Sequence, residues 1–531
     1  MVMLTNVVTA ISLASGLLCS PALAVQAASG PSDDLRRALD EIEALRRQNN
    51  ALAAQNAAIS AKVGALEERV VADGDWLTEQ RAQEIRAIVS DVLADSATRE
   101  SLAGDGATAG YDKSKGFFLA SADGNYTLAI KGDMQIRWAY NSRSIGSATA
   151  AQGSPSNSKA GDAWGFEMRR IRLTFFGNVI DPTWTYEVKL AFNRNATASN
   201  NAFVDEAFVT KDLGGGWSLR AGQFKPPFLR EELVSTTAQL AVERSLVNEF
   251  FSAQKSQGLR LGWNDEQFKV EGFYGDTIRA GGSAPYSLTG TTAGALNAGS
   301  ALGVPTSQNT GFNVNPSDYA FAARAEWKPQ GEWKQFKDMQ SYRGEGQGML
   351  FGVAGYAEQV DPVSGTNGAT PDVILSATAD ASFDFGGANI FAYGVYRNVT
   401  LQSAQAVRDG GTNDAINQWG AVFQGGYFVS DDIEAFARYE IGDSDDDQYR
   451  TQPTALLASG QDLSVLTVGV NWWVAGVKNK QVKWTTDFGY SFEPLVDFAA
   501  SGANYLPDYT AAGGATNDGQ WVVRSQFQFM F

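Results

Sequence analysis

The sequence contains no histidine, and its one cysteine is Cys19. Without imidazoles or a second thiol, His-based acid–base catalysis, Ser-His-Asp triads and His or Cys metal centres are excluded. A disulfide framework is excluded as well. Long apolar runs are also missing. Beyond the N-terminus no stretch could cross a membrane as a helix, and mean hydropathy over the 531 residues is only -0.22. Positive charge is scarce, with 42 basic against 59 acidic residues and a net charge of -17. No nucleic-acid partner and no cofactor are expected. What the chain has instead is 55 glycines and 11% aromatic residues. That combination suits a transmembrane β-barrel, whose strands turn an apolar face outward in alternation.

Val7 to Leu18 form an apolar run, and Ala22-Leu23-Ala24 is a small-residue cleavage pattern. Residues 1–24 therefore read as a signal peptide, although they lack the usual Lys or Arg. Residues 25–104 read as a helical, coiled-coil segment. Leu45, Leu52, Ile59 and Leu66 lie seven apart, with Asn49 and Asn56 at the other core position of a heptad seam. A lone amphipathic helix packed on a globular domain is the alternative. Residues 102–110 (LAGDGATAG) read as a flexible linker.

Within 105–531 the period switches to two. At the end of the chain Trp521, Val523, Phe527, Phe529 and Phe531 alternate with Val522, Arg524, Gln526, Gln528 and Met530. This resembles the C-terminal strand that the outer-membrane barrel-assembly machinery recognises, so Phe531 is the candidate assembly signal. The same pattern defines sixteen strands, at about 126–140, 164–178, 182–195, 202–212, 216–225, 256–264, 267–276, 318–328, 349–359, 371–385, 389–399, 415–429, 432–442, 462–474, 480–492 and 519–531. Their connections alternate between long and short, the asymmetry of outer-membrane barrels with tight periplasmic turns. Both termini then fall in the periplasm. The connection 329–348 breaks the rule, being long on the short side. The expected fold is an all-β transmembrane barrel of about sixteen antiparallel strands behind an α-helical coiled coil. It should be closed, because lipid cannot satisfy edge N–H and C=O groups, and should bury no core of the soluble kind.

The stretches WGFEMRRIRLTFFGNV, WTYEVKLAFN, WSLRAGQFKPPF and VERS, between 164 and 245, resemble the phosphate-selective porin O and P family. Gly222, Gln223, Phe224, Lys225 and Pro227 match its strand-end motif. Glu243, Arg244 and Ser245 match an element of its long third loop. The resemblance implies a homotrimer of sixteen-stranded barrels in outer-membrane lipid, a third loop folded into the lumen, and passive diffusion of small anions.

By strand alternation Arg170, Arg172, Lys189, Arg220, Arg260, Arg324 and Arg524 face the lumen. Lys225, Arg230 and Arg244 join them if the loop 226–255 folds inward, which its many apolar residues favour. Rings of Arg or Lys select anions in pores. Glu187, Glu326, Asp380, Asp384, Glu434, Glu440 and Asp487 face inward too, however, and each arginine could simply bridge to one of them. Residues 33–103 carry nine basic and fourteen acidic groups, so the barrel keeps about -12 of the total -17. A weak to moderate anion preference is expected, rather than strict phosphate selectivity. Two other readings remain: a general, non-selective porin, and an anchor tethering the membrane to peptidoglycan through the coiled coil. A barrel enzyme is disfavoured by the missing histidine.

Overall fold

A computed structural model describes residues 46–47, 50–51, 53–62, 107–112, 116–142, 162–192, 202–276, 317–360, 371–406, 412–445, 462–493, 495, 504–505 and 519–531. The chain divides into two units, Met1–Gly104 and Asp105–Phe531. Of the first unit, 46–47, 50–51 and 53–62 are helical and exposed, including Asn56 and Ile59. The expected leader, and Leu45, Asn49, Leu52 and Leu66 of the expected seam, lie outside the described residues.

The second unit is one antiparallel sheet. A short hairpin of β1 (Thr108–Asp112) and β2 (Gly116–Ala120) precedes the long strands β3 (Thr127–Ser142) and β4 (Asp162–Val179). They are followed by β5 (Asp181–Phe192), β6 (Ala202–Gly214), β7 (Trp217–Phe224), β8 (Ser256–Asn264) and β9 (Phe268–Gly275). Next come β10 (Ser317–Gln330), β11 (Gly348–Val360), β12 (Pro371–Asp384), β13 (Ala388–Ala406) and β14 (Thr412–Phe428). The series ends with β15 (Ile433–Asp443), β16 (Asp462–Trp473), β17 (Val482–Ser491) and β18 (Trp521–Met530). Each of β3 to β18 pairs with its sequence neighbour, and β18 returns to β3 through Trp521↔Ser142 to Met530↔Asp133. These sixteen strands close a barrel and match the sixteen expected from alternation. The β1–β2 hairpin was not expected. It pairs with the start of β3, Phe117↔Ile130 to Ala120↔Thr127, along the line of β18.

The outer face is apolar: Leu259, Phe321, Val353, Phe423 and Val470 stand exposed where lipid would cover them. The inner face is polar, with Gln135, Arg137, Thr485 and Gln526 turned inward. One expectation is corrected. The lumen does hold an apolar core, formed by Phe228, Leu229, Leu240, Leu246, Val247, Phe250 and Phe251 against Phe391, Val422 and Phe436 of the wall. It exists because an apolar loop folds into the barrel and takes its own hydrophobic surface with it.

Closure is completed by the last residue. Phe531 and Gly132 exchange backbone hydrogen bonds at 2.8 and 3.0 Å. A Cβ on Gly132 would lie 2.4 Å from the Phe531 ring, whereas one on Gly165 would meet nothing within 4 Å. Gly132→Val should therefore unseat Phe531, at a cost of about 1–3 kcal/mol, and lower the yield of folded barrel on unboiled gels. Gly165→Val should fold normally.

Candidate pore and its constriction

The chain leaves β7 through Lys225 and the pair Pro226-Pro227, whose fixed φ and missing N–H groups end strand pairing. It then turns inward. Two short helices, α1 (Arg230–Leu233) and α2 (Leu246–Phe251), flank a 3-10 turn at Thr236–Ala238. The Ser245 side chain caps α2 by accepting from the Asn248 N–H at 2.9 Å. α2 rests on β14 where Gly420 makes room: a Cβ there would be 2.7 Å from Val247.

Inside the barrel the loop backbone bonds to side chains of the wall. The Leu246 N–H donates to Glu440 at 2.5 Å and the Val242 N–H to Asp487 at 2.9 Å. Arg438 donates to Glu243 O at 2.8 Å, Lys483 to Gln239 O, Asn471 to Leu240 O and Gln528 to Thr237 O, the last three at 3.0 Å. Arg324 and Arg397 donate to Phe228 O and Phe250 O, both at 3.0 Å. The loop thus fills the half of the lumen beside β10–β18, where Asn471, Thr485 and Asp487 are no more than 2% exposed. Along β4–β9 the inner wall stays partly open, the Lys189 and Glu187 side chains being 18% and 22% exposed.

The expected pore residues separate accordingly. Arg170, Arg172, Lys189, Arg220, Lys225 and Arg260 lie on the open side, half-buried. Most are matched by a carboxylate. Arg170 meets Glu243 at 2.6 Å, Arg172 meets Asp133 at 2.8 Å and Lys189 meets Glu206 at 3.0 Å. Arg260 meets Glu271 at 2.8 Å and Lys225 meets Glu232 at 3.4 Å. Arg220 is different. Its guanidinium lies 3.9 Å over the Phe208 ring and donates to the Thr210 hydroxyl at 3.0 Å, with no carboxylate within 4.0 Å among the described residues.

Arg244, Arg230 and Arg324 do not face open lumen. Arg244 is 6% exposed. It donates to the carbonyls of Glu231, Glu232 and Val234 and pairs with Glu232 at 3.1 Å. A backbone that doubles back in a dry interior leaves such carbonyls in need, and the guanidinium supplies several donors at once. Arg230 donates to Phe336 O and pairs with Glu326 at 3.5 Å. Arg324 is held by Glu326 and Asp380, both at 2.8 Å.

Strict alternation misses Arg169. The β3–β4 register slips between Gln135↔Arg170 and Ile136↔Met168, so Arg169 is the extra residue of a bulge and also points inward. It reaches Glu243 at 2.6 Å, and Arg137 reaches the same carboxylate at 2.5 Å. One loop carboxylate therefore joins three wall arginines. The slip has a sequence signal: outward Trp164, Phe166 and Met168 change phase to Ile171, Leu173 and Phe175. A second slip, between Lys189↔Glu206 and Leu190↔Val204, turns both Asp205 and Glu206 inward.

Glu249 of α2 is half-buried and has no basic partner within 4.0 Å among the described residues. Its carboxyl is pushed up to about 7, first by burial and then by Glu232, while Arg244 pulls it down.

A family model described as phosphate-selective porin O and P matches residues 148–488. A search of curated proteins finds no match. Solved structures similar to the chain include the outer membrane channel DcaP of Acinetobacter baumannii, at 13% identity and a TM-score of 0.45, covering 76% of this chain and 97% of that one. An anion-selective porin from Comamonas acidovorans is 12% identical with a TM-score of 0.43, covering 76% of this chain and 99% of that one. Salmonella typhi OmpF, in complex with daunomycin, is 12% identical with a TM-score of 0.44, covering 80% of this chain and all of that one (100%). A closed sixteen-stranded barrel, apolar outside and polar inside, has the architecture of an outer-membrane channel, and this chain belongs to the phosphate-selective porin O and P family.

Proposed function

We propose that this channel passes small anions by passive diffusion along the β4–β9 wall, with weak to moderate preference over cations. Arg220 carries the reading. It is an open-side wall arginine with no carboxylate within 4.0 Å among the described residues, and a cation beside a narrow aqueous path sets the sign of the local field. Lys131, near the periplasmic end of β3, supports it, lying 4.4 Å over Phe176 with no carboxylate partner among the described residues. The preference is weak because Arg170, Arg172, Lys189, Lys225 and Arg260 on the same open side each pair with a carboxylate.

The rest of the assembly follows the same proposal. The barrel is a homotrimer, Phe531 is its signal to the assembly machinery, and residues 1–24 are a leader. The N-terminal segment stands in the periplasm as a coiled coil. Ile59, a seam position 56% exposed in the single chain, gains cover when seams of three copies meet. A tethering role toward peptidoglycan is compatible with conduction.

Salt-gradient recording in planar bilayers tests the pore. A unit charge about 10 Å from an ion in water-like dielectric is worth about 0.4 kcal/mol, roughly twofold for each ion sign. Arg220→Ala should therefore lower the anion-to-cation permeability ratio roughly fourfold. An unchanged ratio, or a cation preference in the unaltered protein, leaves a general porin.

Glu249 adds a pH dependence. With a carboxyl near 7, it is ionised at pH 8 and mostly protonated at pH 6. Anion preference should rise as pH falls through this window, and Glu249→Gln should flatten the profile at the higher level.

A further inference from the structure

The long connection on the short-turn side, residues 331–347, is not an outward loop. It turns up under the inward loop. The Met339 N–H donates to Ala238 O at 2.9 Å, and the Gln340 amide donates to Gln239 O at 2.8 Å. Arg230 of α1 donates to Phe336 O. The two insertions, one from each end of the barrel, thus meet through hydrogen bonds.

The connection also reaches across to other short turns. The Trp333 indole donates to Asp265 O at 2.9 Å, beside the β8–β9 turn. The Gly386 N–H donates to the Ser341 hydroxyl at 3.0 Å, between β12 and β13. Lys480, between β16 and β17, pairs with Asp338 at 2.6 Å and lies 3.8 Å over the Tyr342 ring. Tyr342 closes an aromatic cluster with Phe428 and Trp473, at centroid distances of 5.5 and 5.4 Å. Gly386 permits the approach: it has φ +70, and a Cβ there would be 2.4 Å from Glu345 O. The segment therefore lies under one side of the lumen, from β9 round to β17.

We propose that residues 331–347 form a fixed periplasmic sill that seals the β10–β18 half of the lumen, so that the solute cross-section is set by the β4–β9 half alone. This rests on the channel reading above and names what fixes its size limit. Two observations carry it. Above the sill the wall is dry: Asn389 is 4% exposed, Glu434 0% and Thr485 2%. Beside the sill, a cavity of about 620 Å³ is lined by Arg172, Glu187 and Lys189 of the wall and Ser235 and Thr237 of the loop, and it extends as far as Lys480 at the β16–β17 turn and Phe531. Solute has room beside the sill, whereas the wall residues above it are buried.

Thiol labelling of the reconstituted full chain tests this, because a Cys19→Ser background has no other cysteine. A charged, membrane-impermeant methanethiosulfonate is added from the periplasmic side to single-cysteine variants, and labelling is read by mass. Glu187→Cys should react quickly, while Asn389→Cys and Thr485→Cys should react at least tenfold more slowly. Adding Tyr342→Ser and Lys480→Ala, which remove the aromatic stopper and its tie, should make Thr485→Cys reactive and raise single-channel conductance. Equal labelling of Thr485→Cys and Glu187→Cys with the sill intact would overturn the proposal. So would a loosened sill that folds normally yet leaves both labelling and conductance unchanged. If the double variant fails to fold, Tyr342→Phe, which keeps the ring, should fold and keep Thr485→Cys protected; labelling there as fast as at Glu187→Cys also counts against the sill. Absence of any conductance, or a cation-preferring reversal potential, would instead fail the channel or anion reading while the labelling pattern still decides the sill.

Discussion

A backbone carried into a closed barrel leaves bulk water behind, and each N–H and C=O it brings must find a partner there. Here those partners are side chains of the wall. Arg438, Lys483, Asn471, Gln528, Arg324 and Arg397 donate to loop carbonyls, and Glu440 and Asp487 accept from loop N–H groups. The inward-facing polar residues of β10–β18 are therefore committed to holding the loop. That commitment decides which half of the lumen is filled, which residues remain beside water, and why an apolar cluster sits inside a barrel whose walls are polar.

The same requirement accounts for the arginine-rich corner. Glu243 enters a place where Arg137, Arg169 and Arg170 already converge. Without it three like charges would repel; with it the loop is pinned to β3 and β4. Burial leaves such a carboxylate dependent on its partners, and removing one side of a buried, hydrogen-bonded charge group costs about 3–5 kcal/mol. The β4 bulge is part of this arrangement, since it turns two consecutive arginines to one face. Glu-Arg-Ser is thus a structural element: Glu243 pins the loop, Arg244 satisfies its carbonyls and Ser245 caps α2.

Strand number, closure and the facing of most residues were legible in the sequence, because alternation against lipid is a local pattern that each strand repeats. The anomaly at 329–348 was legible too, as a long connection where a tight turn belonged, although not what it does. Arg169 was hidden by counting strictly in twos, yet the change of phase from Met168 to Ile171 marks it. The roles of Arg230, Arg244 and Arg324 were not legible. Whether an inward arginine faces water or a carbonyl depends on contacts such as Arg230 with Phe336, over a hundred residues apart, and no local period records them. The β1–β2 hairpin was missed because strands of five residues carry too few alternations to stand out.

These commitments also explain why the net charge of -17 says little about the field inside the lumen. Exposed charges are screened over about 8 Å at physiological ionic strength, so acids on the outer surface do little to an ion deep in the lumen. Charges paired inside the wall cancel at short range. The field an ion meets therefore comes from the few groups left unmatched beside the open path. Among the described residues these are Arg220 and Lys131 of the wall and Glu249 of the loop, none with an oppositely charged partner within 4.0 Å. Net charge is a property of the whole surface, whereas selectivity is a property of what pairing leaves over. The loop, by taking many inward charges as its own hydrogen-bond partners, controls that remainder.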